Sequence, residues 1–178
     1  MYQEIISFWF EEIETSQWWV KDAAFDQLIS DRFSGLHLQA INCELFSWRT
    51  TSLGALAEVI VLDQFSRNMF RDTPQSFAYD SLALALAQSA IAKGQDVELA
   101  SRMRSFLYMP FMHSESPKIH VEAEGVFASL GIQSTIDFEK KHRDIIDKYG
   151  RYPHRNRILN RISTPEEAAF LMLPGSGF

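Results

Sequence analysis

Apolar residues recur along this chain at intervals of three and four, the spacing that keeps them on one face of an α-helix. Phe25, Leu28, Ile29, Phe33, Leu36 and Ala40 form one such stripe and predict an amphipathic helix over 22–41. Asn42 ends it, and His37 lies at the border of the stripe. Over 52–70 the first half is apolar on nearly every side, the mark of a central helix. Thr73-Pro74 then punctuates the chain, and Asp80 caps a helix running through Leu82, Leu86 and Ile91 to Gly94. Asp96 caps the next, expected to run to about Tyr108 before Pro110 interrupts it. Ser116-Pro117 opens another, closed by Gly131; Ser134 or Thr135 opens its partner, closed by Gly150. Thr164-Pro165-Glu166-Glu167 combines an N-cap, a first-turn proline and a capping-box glutamate. No segment alternates with period two, so the fold class is all-α without a sheet. The closing glycines Gly94 and Gly131 are 37 residues apart, close to the period of paired-helix solenoids.

Composition adds bounds. The 178 residues suit one domain, and 46% apolar content with fourteen Phe suffices for a core without metal or disulfide. Cys43 is the sole cysteine, which excludes an intrachain disulfide and fits a reducing compartment. No basic n-region precedes the apolar 1–10 stretch, and the run 53–62 is broken by Glu58 and too short for a bilayer. A cytoplasmic protein without membrane association is the expectation. The net charge of −6 argues against general nucleic-acid binding. Yet 140–161 holds eight of the seventeen basic side chains against only Asp144 and Asp147. That window packs against acidic helices of the same molecule or forms an anion-binding surface. RNA contact there, with Tyr149 and Tyr152 for stacking, is opposed by the acidic remainder.

Three segments crowd polar residues into apolar contexts. In 62–71, Asp63, Arg67 and Arg71 are spaced to form one helical stripe flanked by Gln64 and Asn68, either a structural ion-pair row or the floor of a pocket. In 107–115, Pro110 implies an irregular connection carrying His113 and Glu115, two residues apart. Such a pair serves as acid–base group and orienter, joins a metal site, or merely starts a helix. The third segment is Arg151-Tyr152-Pro153-His154-Arg155-Asn156, preceded by His142. Its guanidinium groups suit a carboxylate or phosphate, or helix-end carbonyls.

Several chemistries are excluded. There is no GxxxxGK[ST] loop, no GxGxxG after a strand and no HExxH, so no cofactor is expected. His113-x-Glu115 lacks the PCxxC partner of zinc deaminases. A metal site from His113, Glu115 and His142 or His154 has no signature spacing behind it.

The runs LDQFSRNMFR (62–71), FLYMPFMHSE (106–115), GRYPHRN (150–156) and STPEEAAFL (163–171) resemble the bacterial family called domain of unknown function 924. FWF at 8–10 and Trp48 fit its N-terminal pattern, so the resemblance covers essentially the whole chain. It implies antiparallel helical hairpins packed in a tetratricopeptide-like right-handed array of about eight or nine helices, and no established activity. Two positions depart from the pattern: His120 stands where Gln is expected, and Asn160 where Gly is expected.

The expected function is a helical-hairpin binding module. Its groove, lined by Asp63, Gln64, Arg67, Asn68, Arg71, Arg151, His154, Arg155 and Asn156, would take a small anionic molecule or an acidic peptide or protein. One alternative is an enzyme with His113 as acid–base group, Glu115 orienting it, and Arg67 and Arg155 stabilising negative charge. Another is an interaction domain whose polar clusters form an internal network. Oligomeric state is open.

Overall fold

A computed structural model describes residues 1–177. Every regular element among them is helical, and no helix is long and apolar enough to cross a membrane. The chain divides into two compact units, one of Met1–Arg71 and Gln75–Pro110, the other of Asp72–Pro74 and the chain from Phe111 onward.

The first unit opens with α1 (Tyr2–Ser7), prolonged by a π-helical turn, Phe8–Glu12. Asp22 caps α2 (Ala23–Ile41) by accepting from the Ala24 and Phe25 amides, and α2 buries Phe25, Ile29, Phe33, His37 and Ala40. Next comes α3 (Ser52–Ile60), which passes through a second π turn, Val61–Phe65, into the short α4 (Ser66–Met69). Leu56, Val59, Ile60, Val61 and Leu62 are fully buried, as an all-round apolar helix requires. α5 (Asp80–Ala92) packs against α3. α6 (Ser101–Met112) enters the second unit with its last two residues. Aromatic rings fill the core: Phe33 lies 4.9 Å from Phe8 and 5.0 Å from Phe65, and Phe106 meets Trp9, Phe10 and Trp18 edge-on.

In the second unit α7 (Pro117–Ala128) and α8 (Gln133–Tyr149) pack on each other. Gly150, at φ 68°, takes the left-handed conformation that closes α8, its amide donating to the Ile146 carbonyl. A 3₁₀ turn, Pro153–Arg155, leads on to α9 (Pro165–Leu171), whose capping box joins Thr164 and Glu167 reciprocally. Ile145, Ile146 and Tyr152 form the core, with Tyr149 and Phe170 against it.

Several local expectations need correction. Pro110 does not end α6; it sits within the last turn, where it forfeits one backbone hydrogen bond to the preceding turn, and the helix continues to Met112. Tyr79, not Asp80, is the N-cap of α5; Asp80 is its first residue, and its carboxylate lies 3.0 Å from Arg67 Nη1. Asp96 lies in a 3₁₀ turn before α6 and accepts from the Tyr108 hydroxyl at 2.6 Å. α8 begins at Gln133, ahead of Ser134 and Thr135. Arg71 lies beyond the end of α4, so the 63–67–71 row is not one helical stripe. Asn160 adopts φ 54°, the conformation for which glycine would be the default and asparagine the next choice. Three arginines of the basic window pair within their own unit: Arg143 with Glu124, Arg151 with Glu167 and Arg161 with Glu115.

Candidate functional site

The first polar segment coincides with the π turn. Such turns widen the backbone and recur at functional positions. Here two carbonyls of the turn take side-chain donors: Leu62 from the Ser66 hydroxyl at 2.6 Å, Asp63 from Arg67 Nη1 at 2.8 Å. The fully buried Asp63 carboxylate accepts from Gln64 Nε2 at 2.5 Å and lies 3.1 Å from Arg67 Nη1. Arg67 also spans both oxygens of Asp80, each at 3.0 Å. Asn68 and Arg71 converge on Asp26 of α2, which accepts from Asn68 Nδ2 at 2.8 Å and from Arg71 Nε and Nη2 at 2.5 and 2.7 Å. Gln64 reaches the Met109 sulfur at 3.7 Å. Both arginines are thus held against carboxylates of their own unit.

His37, which sequence reasoning left at the edge of a stripe, is buried with Nε2 2.8 Å from Ser66 Oγ. Ser66 gives its proton to the Leu62 carbonyl, so Nε2 must donate to Ser66. Burial holds His37 below the usual histidine range, which leaves it neutral. Ser66, fully buried with its proton committed, is no nucleophile.

The second unit gathers a different set around Tyr152. The carbonyls of Met112, His113 and Ser114 lie at the C-terminus of α6, where no further helical turn can satisfy them. Each is met by one side chain: Tyr152 hydroxyl to Met112 at 2.5 Å, Arg155 Nη2 to His113 at 2.9 Å, His120 Nε2 to Ser114 at 2.8 Å. The Arg155 guanidinium lies 4.7 Å from the Tyr152 ring centre. The rings of His154, His142 and His120 lie 5.5, 5.7 and 6.4 Å from that ring. His142 donates from Nδ1 to the Phe138 carbonyl at 2.8 Å. Its pKa is pushed down to about 3, first by burial and further by the nearby His113, His120 and His154. Four of the five histidines therefore share one electrostatic neighbourhood.

Glu115 accepts from the Tyr152 amide at 2.7 Å and from both Nη atoms of Arg161 at 2.7 and 2.9 Å. Burial acts to raise its pKa, but those donors and the charge of Arg155 prevail and keep it below the usual carboxylate range. An ionised, doubly held carboxylate is a tether more than a proton donor. Arg151 forks onto Glu167 at 2.6 and 2.8 Å, and Asn156 reaches the same carboxylate at 3.2 Å. The Arg151 hydrogen bonds bring Glu167 down to about 2.

The third segment therefore splits: Arg155 and His154 turn to Tyr152, Arg151 and Asn156 to Glu167. Sequence reasoning named Tyr152 within the third segment but not as the centre of a cluster, and missed Glu139, Asp26 and Asp80 as members. Tyr152 is signalled by its place in a Gly-to-Pro turn dense with donors; the three acids look like ordinary helix-surface or capping residues until the fold closes on them. His120, which departs from the family pattern, makes polar contacts with Ser114 and Glu139. Among the described residues no group of three or more His, Cys, Asp or Glu is placed to hold a metal ion.

All-helical architecture and these motifs together delimit a class. The family model "Bacterial protein of unknown function (DUF924)" matches residues 5–175, and the chain belongs to that family. A solved structure of a protein of unknown function from Agrobacterium tumefaciens is similar over 96% of both chains, with 38% identity and a TM-score of 0.91. No curated protein matches the chain.

Proposed function

We propose that this protein is a binding module for a small anionic molecule or an acidic peptide, with Arg155 on the face of Tyr152 as its anchoring cation. The observation that carries the reading is the Arg155 guanidinium on the face of the buried Tyr152, beside the rings of His154, His142 and His120. A buried guanidinium gains from an opposite charge, so the place of Arg155 there favours an anionic guest. A guanidinium also offers the donor fork that a carboxylate or phosphate accepts.

The test is a thermal-shift screen against carboxylates, phosphates, nucleotides and acidic peptides, followed by calorimetric titration. A ligand at a hundred times its Kd contributes about 2.7 kcal/mol, or about 5–11 °C in Tm at this size. The shift should vanish in Arg155→Ala. A flat screen, or a hit that survives that substitution, overturns the proposal.

A second reading draws on a specific observation: Arg67, Arg71, Arg151 and Arg161 are each held by carboxylates of their own unit. Those groups then act as an internal network that sets helix register. On that reading Arg71→Ala lowers Tm and leaves any ligand affinity unchanged.

A further inference from the structure

We infer that His120 and Glu139 are positioning residues of the Tyr152–Arg155 site, an inference that rests on the reading of that site as an anion anchor. His120 is fully buried on α7, and its Nδ1 lies 2.6 Å from Glu139 Oε1 on α8. Its Nε2 lies 2.8 Å from the Ser114 carbonyl and 3.2 Å from the Tyr152 hydroxyl oxygen. A carbonyl only accepts, so Nε2 must carry a proton. Tyr152 commits its own proton to the Met112 carbonyl, so its oxygen receives the same Nε2–H. Between Nδ1 and Oε1 one further proton is required, since two lone pairs would repel at that distance. The pair thus holds two protons and is neutral whichever atom bears the second.

That proton count separates two roles. A carboxylate, an imidazole and a phenol in line look like an oriented general base. Here Nε2 has no lone pair with which to take the Tyr152 proton, so the line does not act as a base. It fixes two things at once instead: the Ser114 carbonyl, next to His113, and the Tyr152 hydroxyl, whose ring carries Arg155. Glu139 Oε2 is buried without a hydrogen-bond partner among the described residues, so Glu139 holds His120 through Oε1 alone. A substitution at 139 reads that tie directly.

The experiment uses the full chain with ¹⁵N-labelled histidine, amide hydrogen exchange, and inorganic phosphate and acetate as probes. In the parent, His120 shows a protonated Nε2 and a far-downfield proton on the Nδ1–Oε1 axis. Glu139→Gln, whose amide can donate to Nδ1 while Nε2–H stays on Ser114, keeps exchange protection at 113–115 and Tyr152 and binds the probe within about twofold of the parent. Glu139→Leu and His120→Phe lose that protection and weaken the probe by about tenfold, the worth of one hydrogen bond. Parent-like protection and affinity in Glu139→Leu overturn the positioning role alone. Failure of both probes to bind the parent overturns the anion reading and the inference with it.

Discussion

His142 supplies a stability test that needs no ligand. It is 5% exposed, packed edge-on against Tyr152, and its pKa falls from 6.5 to about 3 through burial and the neighbouring histidines. In the folded chain it stays neutral across the mildly acidic range, whereas in the unfolded chain it protonates near 6.5. The unfolded state then binds more protons, so stability is full above about pH 6.5 and falls as pH drops toward 3. At pH 5 the loss from this residue alone is about 2 kcal/mol, and fully developed it approaches about 5 kcal/mol. For a chain of this size 2 kcal/mol is about 4–8 °C in Tm. Glu115 and Glu167, whose pKa values are lowered, add losses only below about 4.5, while His37 adds to the loss in the same direction as His142. The assay is thermal and urea unfolding at pH 7, 6 and 5 of the parent and His142→Phe. The variant keeps the ring and drops the bond to Phe138, which lowers its baseline by about 1 kcal/mol. The slope is therefore the readout: it should flatten by about 2 kcal/mol between pH 7 and 5. A variant with the parent slope refutes the reasoning.

Three further outcomes follow from the packing. A Cβ on Gly54 would collide with the Trp48 carbonyl, so Gly54→Ala should cost about 3 kcal/mol, whereas Gly35→Ala on the open face of α2 should stabilise by about 0.5–1 kcal/mol in urea melts. Glu58 is fully buried and forked onto Arg49 at 2.7 and 2.6 Å. Arg49→Met should therefore cost about 3–5 kcal/mol, and adding Glu58→Leu should recover much of it; equal losses in single and double variants would contradict the pairing. Asn160→Gly should lie within about 0.5 kcal/mol of the parent while Asn160→Val loses about 1–2 kcal/mol, because a β-branched residue resists the positive φ.

Legibility in the sequence followed the range of the interaction. The stripe of α2, the all-round apolar run of α3 and the Thr164–Glu167 capping box are set by residues within a few turns of one another, and their pattern shows along the chain. Motif membership was legible for the same reason. Partners were not. Asp63–Arg67 was readable as a one-turn pair, but Asp80 on the same guanidinium and Asp26 on Arg71 come from other helices. Glu115 shows the limit: its spacing from His113 left a pair as one reading, but its carboxylate is taken up by Arg161, 46 residues away, and by the Tyr152 amide.

Local propensity and hydrophobic period thus determined an all-helical protein, most of its helix boundaries and the polar segments that break the pattern. Tertiary structure alone decided which charges meet, which carbonyls at the end of α6 are capped by Tyr152, Arg155 and His120, and that burial holds His37 and His142 neutral. Those outcomes depend on burial and on distances of a few ångströms between residues far apart in the chain, quantities that exist only once the helices have packed.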